Sequence, residues 1–526
     1  MKNARLLRER FTLSAFRGIQ TALDWTPNIV TDDRQEGSGV RVSRRRALTI
    51  GGAAAASLLT ARYGSTGTDS ADRAKRAPNR SGGDPIRRVR RAGVTGAHAR
   101  VAVLDPTGFD PTQPTLAGAV TDIRQFGAER AAVDETTHGT AAAASVARLA
   151  PDADLLLASF RTPAEFAAAI DWCHGRAVDV VLAPVAAHGT VATPRSEVYR
   201  AARRAVDAGC AFVAPTGNAA LGHWQGPAAA LVGDGPESRR RLRVGARPGA
   251  ASVAGRLRAW LAPDPSLDLD LTLALLRAVD GGRRWNLVAV SRSTERRAGQ
   301  RLVADLTDDE YALVVRSTGS PSPTGPTGPA SPDTGAGRVE VTTPTHTLSP
   351  ARPLGSIAAP ASVPGVVGVG VTPRDRADGE SRANSSSRAD TSFPANSSAR
   401  ANTSSPANSP ARANSSSRTD ASDATLADPV SPYSGRGPTP TGGVGVDVVA
   451  PPHPWVADGR AGTSAAAARV AGVAALLRSV DRTLTPAEVT RVLRRSAGDV
   501  GRPGRDLASG WGRLDIVAAV QRVRSR

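Results

Sequence analysis

The strongest constraint on the fold is an alternation of short apolar strands with helices that begins near Arg100. Val101–Leu104, Asp154–Ser159 and Val178–Ala183 are largely apolar runs, and the Ala-rich segment His138–Ala150 lies between the first two. Runs of this length are typical of strands buried on both faces, and strands that alternate with helices join in parallel. The sequence therefore predicts an α/β fold with a doubly wound parallel sheet.

Helix ends in this chain carry recognisable capping signals. Thr162-Pro163-Ala164-Glu165 and Thr485-Pro486-Ala487-Glu488 both place a Thr three residues before a Glu, with Pro at the first helical position. In such a capping box each side chain accepts a hydrogen bond from the other residue's backbone N–H. The boxes predict helices that end near Cys173 and Ala497. Further predicted elements are the helices Ser196–Ala208 and Ser464–Ser479 and the strands Cys210–Pro215 and Val444–Ala450.

Two segments interrupt the α/β pattern. In residues 236–346, leucines alternate with other residues from Leu267 to Leu275, and Tyr311–Arg316 is also strand-like. A period of two is typical of a half-buried strand, so we predict an inserted β-sandwich-like domain that ends in a Pro/Ser/Thr linker. Residues 375–428 are rich in Asn, Ser and Arg and contain near-repeats, and this composition predicts disorder.

These features divide the chain into seven parts. The predicted parts are an N-terminal extension with a signal (1–61), a linker or short propeptide (62–95), three pieces of one α/β domain (96–235, 347–374 and 429–526), the β-sandwich-like insert (236–346) and the disordered insert (375–428).

The N-terminal part is strongly basic. Residues 1–100 hold 20 basic and 8 acidic side chains, and the whole chain has a net charge of +19. Arg44–Arg46 precede a short, weakly apolar segment, Thr49–Leu59, in the order of a signal peptide. Paired arginines before a Gly/Ala-rich segment are typical of a twin-arginine export signal, so we expect a secreted or cell-surface protein. The other interpretation is a basic loop before an Ala-rich helix, which Gly51 and Gly52 would weaken.

Composition disfavours several classes of protein. No run of about 18 apolar residues exists, so we expect no membrane span in the mature protein. Cys173 and Cys210 are too few for a disulfide framework or a Cys-rich metal site. Aromatic residues make up 4% and the arginines are scattered, which disfavours nucleic-acid binding. The seven histidines show no two-His metal spacing, so a metalloenzyme is disfavoured.

Four polar residues stand where strands end or helices begin. Asp105 and Asn218 each follow a predicted strand, and His138 and Ser464 each begin a predicted helix. All four therefore lie on the sheet edge where ligands of α/β folds bind. A carboxylate, an imidazole and a hydroxyl can form a nucleophilic triad, and an amide can donate to an oxyanion. Each residue alone has a simpler interpretation, as a turn former, a structural histidine or a helix cap.

The segments around these residues resemble the subtilisin-like serine proteases, peptidase family S8. The similar segments are Val101-Ala102-Val103-Leu104-Asp105, His138-Gly139-Thr140-Ala141, Gly217-Asn218 and the run from Gly462-Thr463-Ser464 to Gly472. The resemblance covers residues 96–235, 347–374 and 429–526, and it is greatest for exported members with a β insert known from halophilic archaea. Once both inserts are left out, 81 residues separate Asn218 from Ser464, so one domain can hold all four residues.

The resemblance implies an exported serine endopeptidase that cleaves protein or peptide substrates. Ser464 would attack the scissile carbonyl, His138 would accept and return its proton, Asp105 would orient the histidine, and Asn218 would bind the oxyanion. No cofactor is required for this chemistry. Structural calcium is common in the family, but the sequence assigns no ligands to it. We expect a monomer that binds no nucleic acid.

The sequence departs from the family pattern close to these residues. Pro106 separates the aspartate from Thr107-Gly108, whereas the family places Ser or Thr directly after the Asp. The substrate-binding strand, normally Ser-x-Gly-like, here reads Ala183-Pro184-Val185-Ala186-Ala187-His188-Gly189. After the serine, Ala465, Ala468 and Arg469 replace the family's Met, Pro and His. The departures leave an alternative open, which is a catalytically inactive subtilisin fold that acts as a surface binding module. A third hypothesis, a non-proteolytic adhesin built around the two inserts, is less favoured than either of these.

Overall fold

The structure of the chain is a computed structural model. It describes residues 84–127, 138–189, 194, 196–231, 241–247, 250–264, 267, 271–291, 299–317, 337–373, 430–452 and 462–526. The chain forms two units, one of Met1–Arg374 with Pro429–Arg526 and one of Asp375–Asp428. The second unit, which is the predicted disordered insert, and the predicted signal (1–61) both lie outside the described residues.

The described part contains seven α-helices. They are α1 (Pro85–Arg91), α2 (His138–Leu149), α3 (Pro163–His174), α4 (Glu197–Asp207), α5 (Thr463–Val480), α6 (Pro486–Ser496) and α7 (Ile516–Arg524).

Sixteen strands accompany these helices in the same ranges. They are β1 (Arg100–Leu104), β2 (Val120–Gln125), β3 (Asp154–Ser159), β4 (Val180–Leu182), β5 (Ala211–Pro215), β6 (His223–Pro227), β7 (Leu242–Gly245), β8 (Gly255–Pro263), β9 (Leu271–Val279), β10 (Arg284–Val290), β11 (Gln300–Leu306), β12 (Tyr311–Ser317), β13 (Arg338–Thr342), β14 (Thr347–Ser349), β15 (Val367–Val371) and β16 (Val448–Ala450).

Seven strands form one parallel sheet in the order β16-β15-β5-β4-β1-β3-β2. Neighbouring strands pair in parallel throughout, as in the alignment of Ala102 with Leu156 on one side and Val181 on the other. Helices α2 and α5 to α7 pack on one face of the sheet, and α3 and α4 pack on the other. The predicted doubly wound parallel sheet is therefore confirmed.

Helix α5 crosses the centre of this domain. Fifteen of its eighteen residues, Thr463–Leu477, are buried, and most of them are Ala, Val or Gly. Small side chains allow close approach of the neighbouring helix: a β-carbon added to Gly472 would lie 2.7 Å from the Leu149 Cβ of α2. The composition of α5 thus serves tight packing, and it fixes the position of the residues at the start of the helix.

Both predicted capping boxes form. The Thr162 Oγ1 accepts from the Glu165 N–H at 3.1 Å, and the Glu165 carboxylate accepts from the Thr162 N–H at 3.2 Å. The Thr485 and Glu488 pair makes the same reciprocal contacts at 3.3 and 3.0 Å. The starts of α3 and α6 are therefore fixed by local sequence, as predicted.

The remaining strands form two antiparallel sheets, here called the insert sheets (β6 to β14). One has the order β10-β9-β12-β7-β14 and the other the order β11-β8-β13-β6. Leucines and valines from both sheets form a shared apolar cluster, with Leu271, Leu273 and Leu275 of β9 among its members. Strand β6 begins at His223, which lies before the predicted start of the insert at residue 236.

Helix α1, strand β2 and helix α7 are among the elements that the sequence patterns miss. The segment 62–95, interpreted as a linker or short propeptide, contains helix α1, which Asp84 caps and whose Val89 is buried. Its four arginines obscure the apolar signal of Val89 and of Ile86, which is partly buried against the same core. Strand β2 was missed because most of its side chains are exposed, and α7 lies beyond the last capping box. Among the helices in the described ranges, none combines the length and apolar character needed to cross a bilayer.

Candidate active site

All four predicted polar residues lie at the carboxyl edge of the parallel sheet or at the helix starts beside it. Asp105 directly follows β1, and Asn218 follows β5 by three residues. His138 is the first residue of α2, and Ser464 is the second residue of α5. The contacts of these side chains with one another and with the loops between them define the candidate site.

Asp105 and His138 are in direct contact. The His138 Nδ1 lies 2.6 Å from the Asp105 Oδ2, and the Asp105 side chain is completely buried. Since a carboxylate only accepts, the imidazole donates its Nδ1–H, which leaves Nε2 as the acceptor of the neutral ring. The buried carboxylate thus fixes both the tautomer and the orientation of the histidine.

Thr107 compensates for the inserted Pro106. Its N–H and its Oγ1–H both donate to the Asp105 Oδ1, at 2.9 and 2.6 Å. Its Oγ1 also accepts from the Gly139 N–H at 2.9 Å, at the start of α2. A hydroxyl two residues after the aspartate therefore holds the carboxylate and ties it to the histidine-bearing helix. The sequence motif suggested a defect here, whereas the turn brings the hydroxyl back to the carboxylate.

Gly139 permits the close approach of helix α2 to the aspartate loop. A β-carbon at this position would lie 2.4 Å from the Gly108 carbonyl oxygen and 2.9 Å from the Asp105 Cβ. Such contacts are too short for any side chain, so the residue after His138 must be glycine for the imidazole to reach the carboxylate.

Asn218 is oriented by the residue that precedes Ser464. Its Oδ1 accepts from the Thr463 N–H at 3.1 Å and from the Thr463 Oγ1–H at 3.0 Å. Its Nδ2 is buried and has no hydrogen-bond partner among the described residues. Gly217, with φ of +95°, supplies the left-handed backbone conformation of the turn before Asn218. The carboxamide therefore presents an unused donor beside the serine.

Ser464 is buried at the start of α5. Its hydroxyl donates to the Pro184 carbonyl oxygen at 3.0 Å. A hydroxyl has one proton, so Ser464 cannot donate to His138 while this bond is made. The bond to Pro184 must therefore break before the hydroxyl proton can pass to another acceptor. Pro184 belongs to the segment that resembles the substrate-binding strand, so the serine and that strand are in contact.

Backbone hydrogen bonds join three loop segments next to Asn218. Ala187 and Ala359 exchange backbone hydrogen bonds of 2.8 and 3.2 Å, and the Ala358 N–H donates to the Thr216 carbonyl oxygen at 3.0 Å. The segment that resembles the substrate-binding strand is therefore linked through residues 358–359 to the loop that carries Asn218.

The insert sheets reach this segment as well. The His188 ring packs on Trp260 of β8 with centroids 5.6 Å apart. Burial, with the nearby His223, lowers the pKa of His188 to about 4, so this imidazole is neutral near pH 7. Within the described ranges, His, Cys, Asp and Glu side chains form no group of three that could hold a metal ion.

Comparison with known proteins places the chain in a family. The model of the subtilase family, peptidase S8, matches residues 96–512, which is most of the chain. The chain therefore belongs to the subtilase family, the class of peptidase that the parallel sheet and the sequence motifs indicate. No curated protein matches the sequence significantly.

Several solved structures of proteases match the chain at low sequence identity. The CspB protease of Clostridium perfringens is 15% identical with a TM-score of 0.52, over 84% of this chain and 96% of that one. Sphericase is 15% identical with a TM-score of 0.39, over 80% and 92% of the two chains. Fervidolysin from Fervidobacterium pennivorans is 16% identical with a TM-score of 0.37, over 82% of this chain and 43% of its own.

Proposed function

We propose that this subtilase is an active serine endopeptidase whose triad is Asp105, His138 and Ser464, with Asn218 as oxyanion donor. The buried contact between Asp105 and His138 carries the proposal. A structural histidine has no need of a completely buried carboxylate held by two further donors from one threonine. A general base needs that arrangement, because the carboxylate stabilises the imidazolium formed during the reaction.

The reaction would proceed by acyl transfer. The Ser464 Oγ forms a bond to the scissile carbonyl carbon while its proton passes to the His138 Nε2. The oxyanion accepts from the Asn218 Nδ2 and from the Ser464 backbone N–H. The C–N bond then breaks, and the imidazolium gives its proton to the leaving amine. Water attacks the acyl-enzyme by the same route in reverse and releases the acid.

A fluorophosphonate probe tests the proposal directly, since it reacts with an activated serine and needs no peptide side chain. We expect stoichiometric labelling of the wild-type protein and none of Ser464→Ala. Ser479→Ala, which removes a hydroxyl at the other end of the same helix, is the matched control and should label normally. Unlabelled wild-type protein with an intact thermal transition would contradict the proposal.

The second candidate is a catalytically inactive subtilisin fold that binds a surface partner. One contact favours it: the Ser464 proton is engaged by the Pro184 carbonyl oxygen. In an inactive protein that bond persists, whereas in an active enzyme the hydroxyl turns toward His138 when substrate or probe binds. The labelling experiment therefore separates the two functions.

We further propose that the protein is exported through the twin-arginine route to the cell surface or medium. We also propose that it is a monomer and that its catalysis uses no cofactor. The support is the order of Arg44–Arg46 and the weakly apolar segment after them. Changing Arg44 and Arg45 together to Lys should retain precursor in the cytoplasm. Normal export of that variant would show that another signal is used.

A further inference from the structure

The wall beside the oxyanion donor is built from very small residues. Gly217 directly precedes Asn218, Ala186 lies in the segment that resembles the substrate-binding strand, and Ala358 lies in the loop that links the two. The backbone hydrogen bonds of Ala358 and Ala359 hold these segments side by side. Only hydrogen atoms and methyl groups project from the three positions.

The distances show how little room is left between those methyl groups. A β-carbon built on Gly217 would lie 3.1 Å from the Ala358 Cβ and 3.7 Å from the Ala186 Cβ. The two methyl carbons are therefore at most about 7 Å apart, whereas a carbon placed directly between them would need about 3.5–4 Å to each, or about 7–8 Å in all. A methylene chain or an aromatic ring does not fit between them.

This closed wall lies next to the reacting atoms. The attacked carbonyl must place its carbon at the Ser464 Oγ and its oxygen at the Asn218 Nδ2. The side chain of the residue that supplies this carbonyl branches from the adjacent carbon. Since Gly217 is joined directly to Asn218, we place the start of that side chain beside Gly217. The Pro184 carbonyl oxygen, 3.0 Å from the Ser464 Oγ, bounds the same space two residues before Ala186.

We infer that this enzyme cleaves after residues with small side chains, glycine, alanine or serine, and that Ala186 and Ala358 set this preference. The inference rests on the proposed function and specifies its substrate class. Large aliphatic and aromatic side chains before the scissile bond are rejected, because the methyl groups of both alanines occupy the volume that they need.

The test compares N-succinyl-Ala-Ala-Pro-X-p-nitroanilides in which X is Gly, Ala, Leu or Phe. We expect kcat/KM for Ala to exceed that for Leu and Phe by about tenfold or more, since one misplaced methylene costs ~10–200-fold in such a pocket. Ala358→Gly and Ala186→Gly should each raise cleavage after Leu or Phe relative to Ala. Ala361→Gly removes a buried methyl from the same loop that does not face Gly217, and it should leave the ratio unchanged.

The outcomes distinguish the inference from the proposed function. Protein that reacts with the fluorophosphonate but cleaves the Leu or Phe substrate as well as the Ala substrate, or cleaves none of them, overturns the inference alone. An equal shift of the Leu-to-Ala or Phe-to-Ala ratio of kcat/KM in Ala361→Gly also overturns the inference. The shift would then come from a general loosening of the loop and not from the methyl groups that face Gly217. Folded protein that fails to react with the probe overturns the proposed function, and the inference with it.

Discussion

The parallel-sheet core and the insert sheets bury apolar surface in different ways. In the core, the helix that carries Ser464 is buried along Thr463–Leu477, and its side chains are mostly small. In the insert sheets, leucines form a cluster on one face, while β10 leaves Leu287 and Val288 54% and 45% exposed. The core is thus packed from all sides, and the insert sheets are packed mainly between themselves.

This difference separates residues that set the geometry of the proposed catalytic site from residues on exposed strands that contribute mainly to stability. Contacts such as that of Gly139 with the aspartate loop allow almost no displacement, because backbone and side-chain atoms already touch. An exposed strand face has water as its neighbour and accommodates changes of size or charge. Substitutions in the two regions should therefore differ both in magnitude and in the property that they affect.

The largest expected effect is on catalysis at Asn218. Asn218→Leu removes the buried Nδ2 donor and should lower kcat by ~10²–10³ with KM nearly unchanged, because the lost bond forms mainly in the transition state. Thermal unfolding followed beside the kinetics separates this role from that of a turn former. Normal kcat per folded molecule, with a lower Tm, would remove Asn218 from the catalytic set.

The next effect is on core stability. Gly472→Val would force a branched side chain against the Leu149 Cβ, and we expect the free energy of unfolding to fall by about 2–3 kcal/mol. Urea denaturation measures the change. Gly498→Ala is the control, since a β-carbon there meets nothing within 4 Å. Equal behaviour of the two variants would show that the helices separate more easily than the packing suggests.

Acid should weaken the insert sheets through a buried histidine. Burial is the main cause that lowers the pKa of His346 from 6.5 to about 4, and its Nε2–H donates to the Val253 carbonyl oxygen at 3.0 Å. The neutral His346 imidazole therefore takes up a second ring proton at a higher pH in the unfolded chain than in the folded chain. Stability is therefore unaffected above about pH 7 and falls as pH drops from 6.5 toward 4, by up to about 3 kcal/mol.

A variant isolates this histidine from the others. His346→Gln keeps an N–H donor for the Val253 carbonyl and cannot titrate, so its stability should fall less between pH 7 and pH 4.5 than that of the wild type. His188, whose pKa is also lowered by burial, continues to contribute in both proteins. Urea midpoints at the two pH values give the comparison, and parallel loss in both proteins would assign the acid sensitivity elsewhere.

The smallest expected effect is at the exposed strand β10. Leu287→Lys should change the free energy of unfolding by no more than about 0.5 kcal/mol and leave kcat unchanged, because the side chain is already half in water. A charge on an edge strand also opposes strand pairing between molecules, so light scattering on heating should decrease. A loss of stability near that of Gly472→Val would show that β10 has a partner.

Local sequence predicted much of the fold. The capping boxes at Thr162 and Thr485 form as expected, and β3 has the predicted bounds, because these features depend on neighbouring residues and on apolar runs. Strand β2 was not predicted, since its exposed face gives it no apolar run. Helix α1 was also missed, because one buried valine among arginines is too weak a signal.

The candidate site was predicted less completely than the fold. The sequence motifs identified Asp105, His138, Asn218 and Ser464 but gave no sign of the partners that orient them. Thr107 reaches the carboxylate only through the geometry of a turn. The bonds from Thr463 to Asn218 and from Ser464 to the Pro184 carbonyl join distant parts of the chain, and no local pattern encodes them.

The bond between Thr463 and Asn218 spans 245 positions of the chain. A ribosome synthesises the N-terminal half first, so the early strands can associate while the segment that orients Asn218 does not yet exist. Because α5 is a central, buried element of the core, the core reaches its final packing only after residues 463–480 have joined it. The candidate site is therefore complete only once α5 has been synthesised and Thr463 has bonded to Asn218.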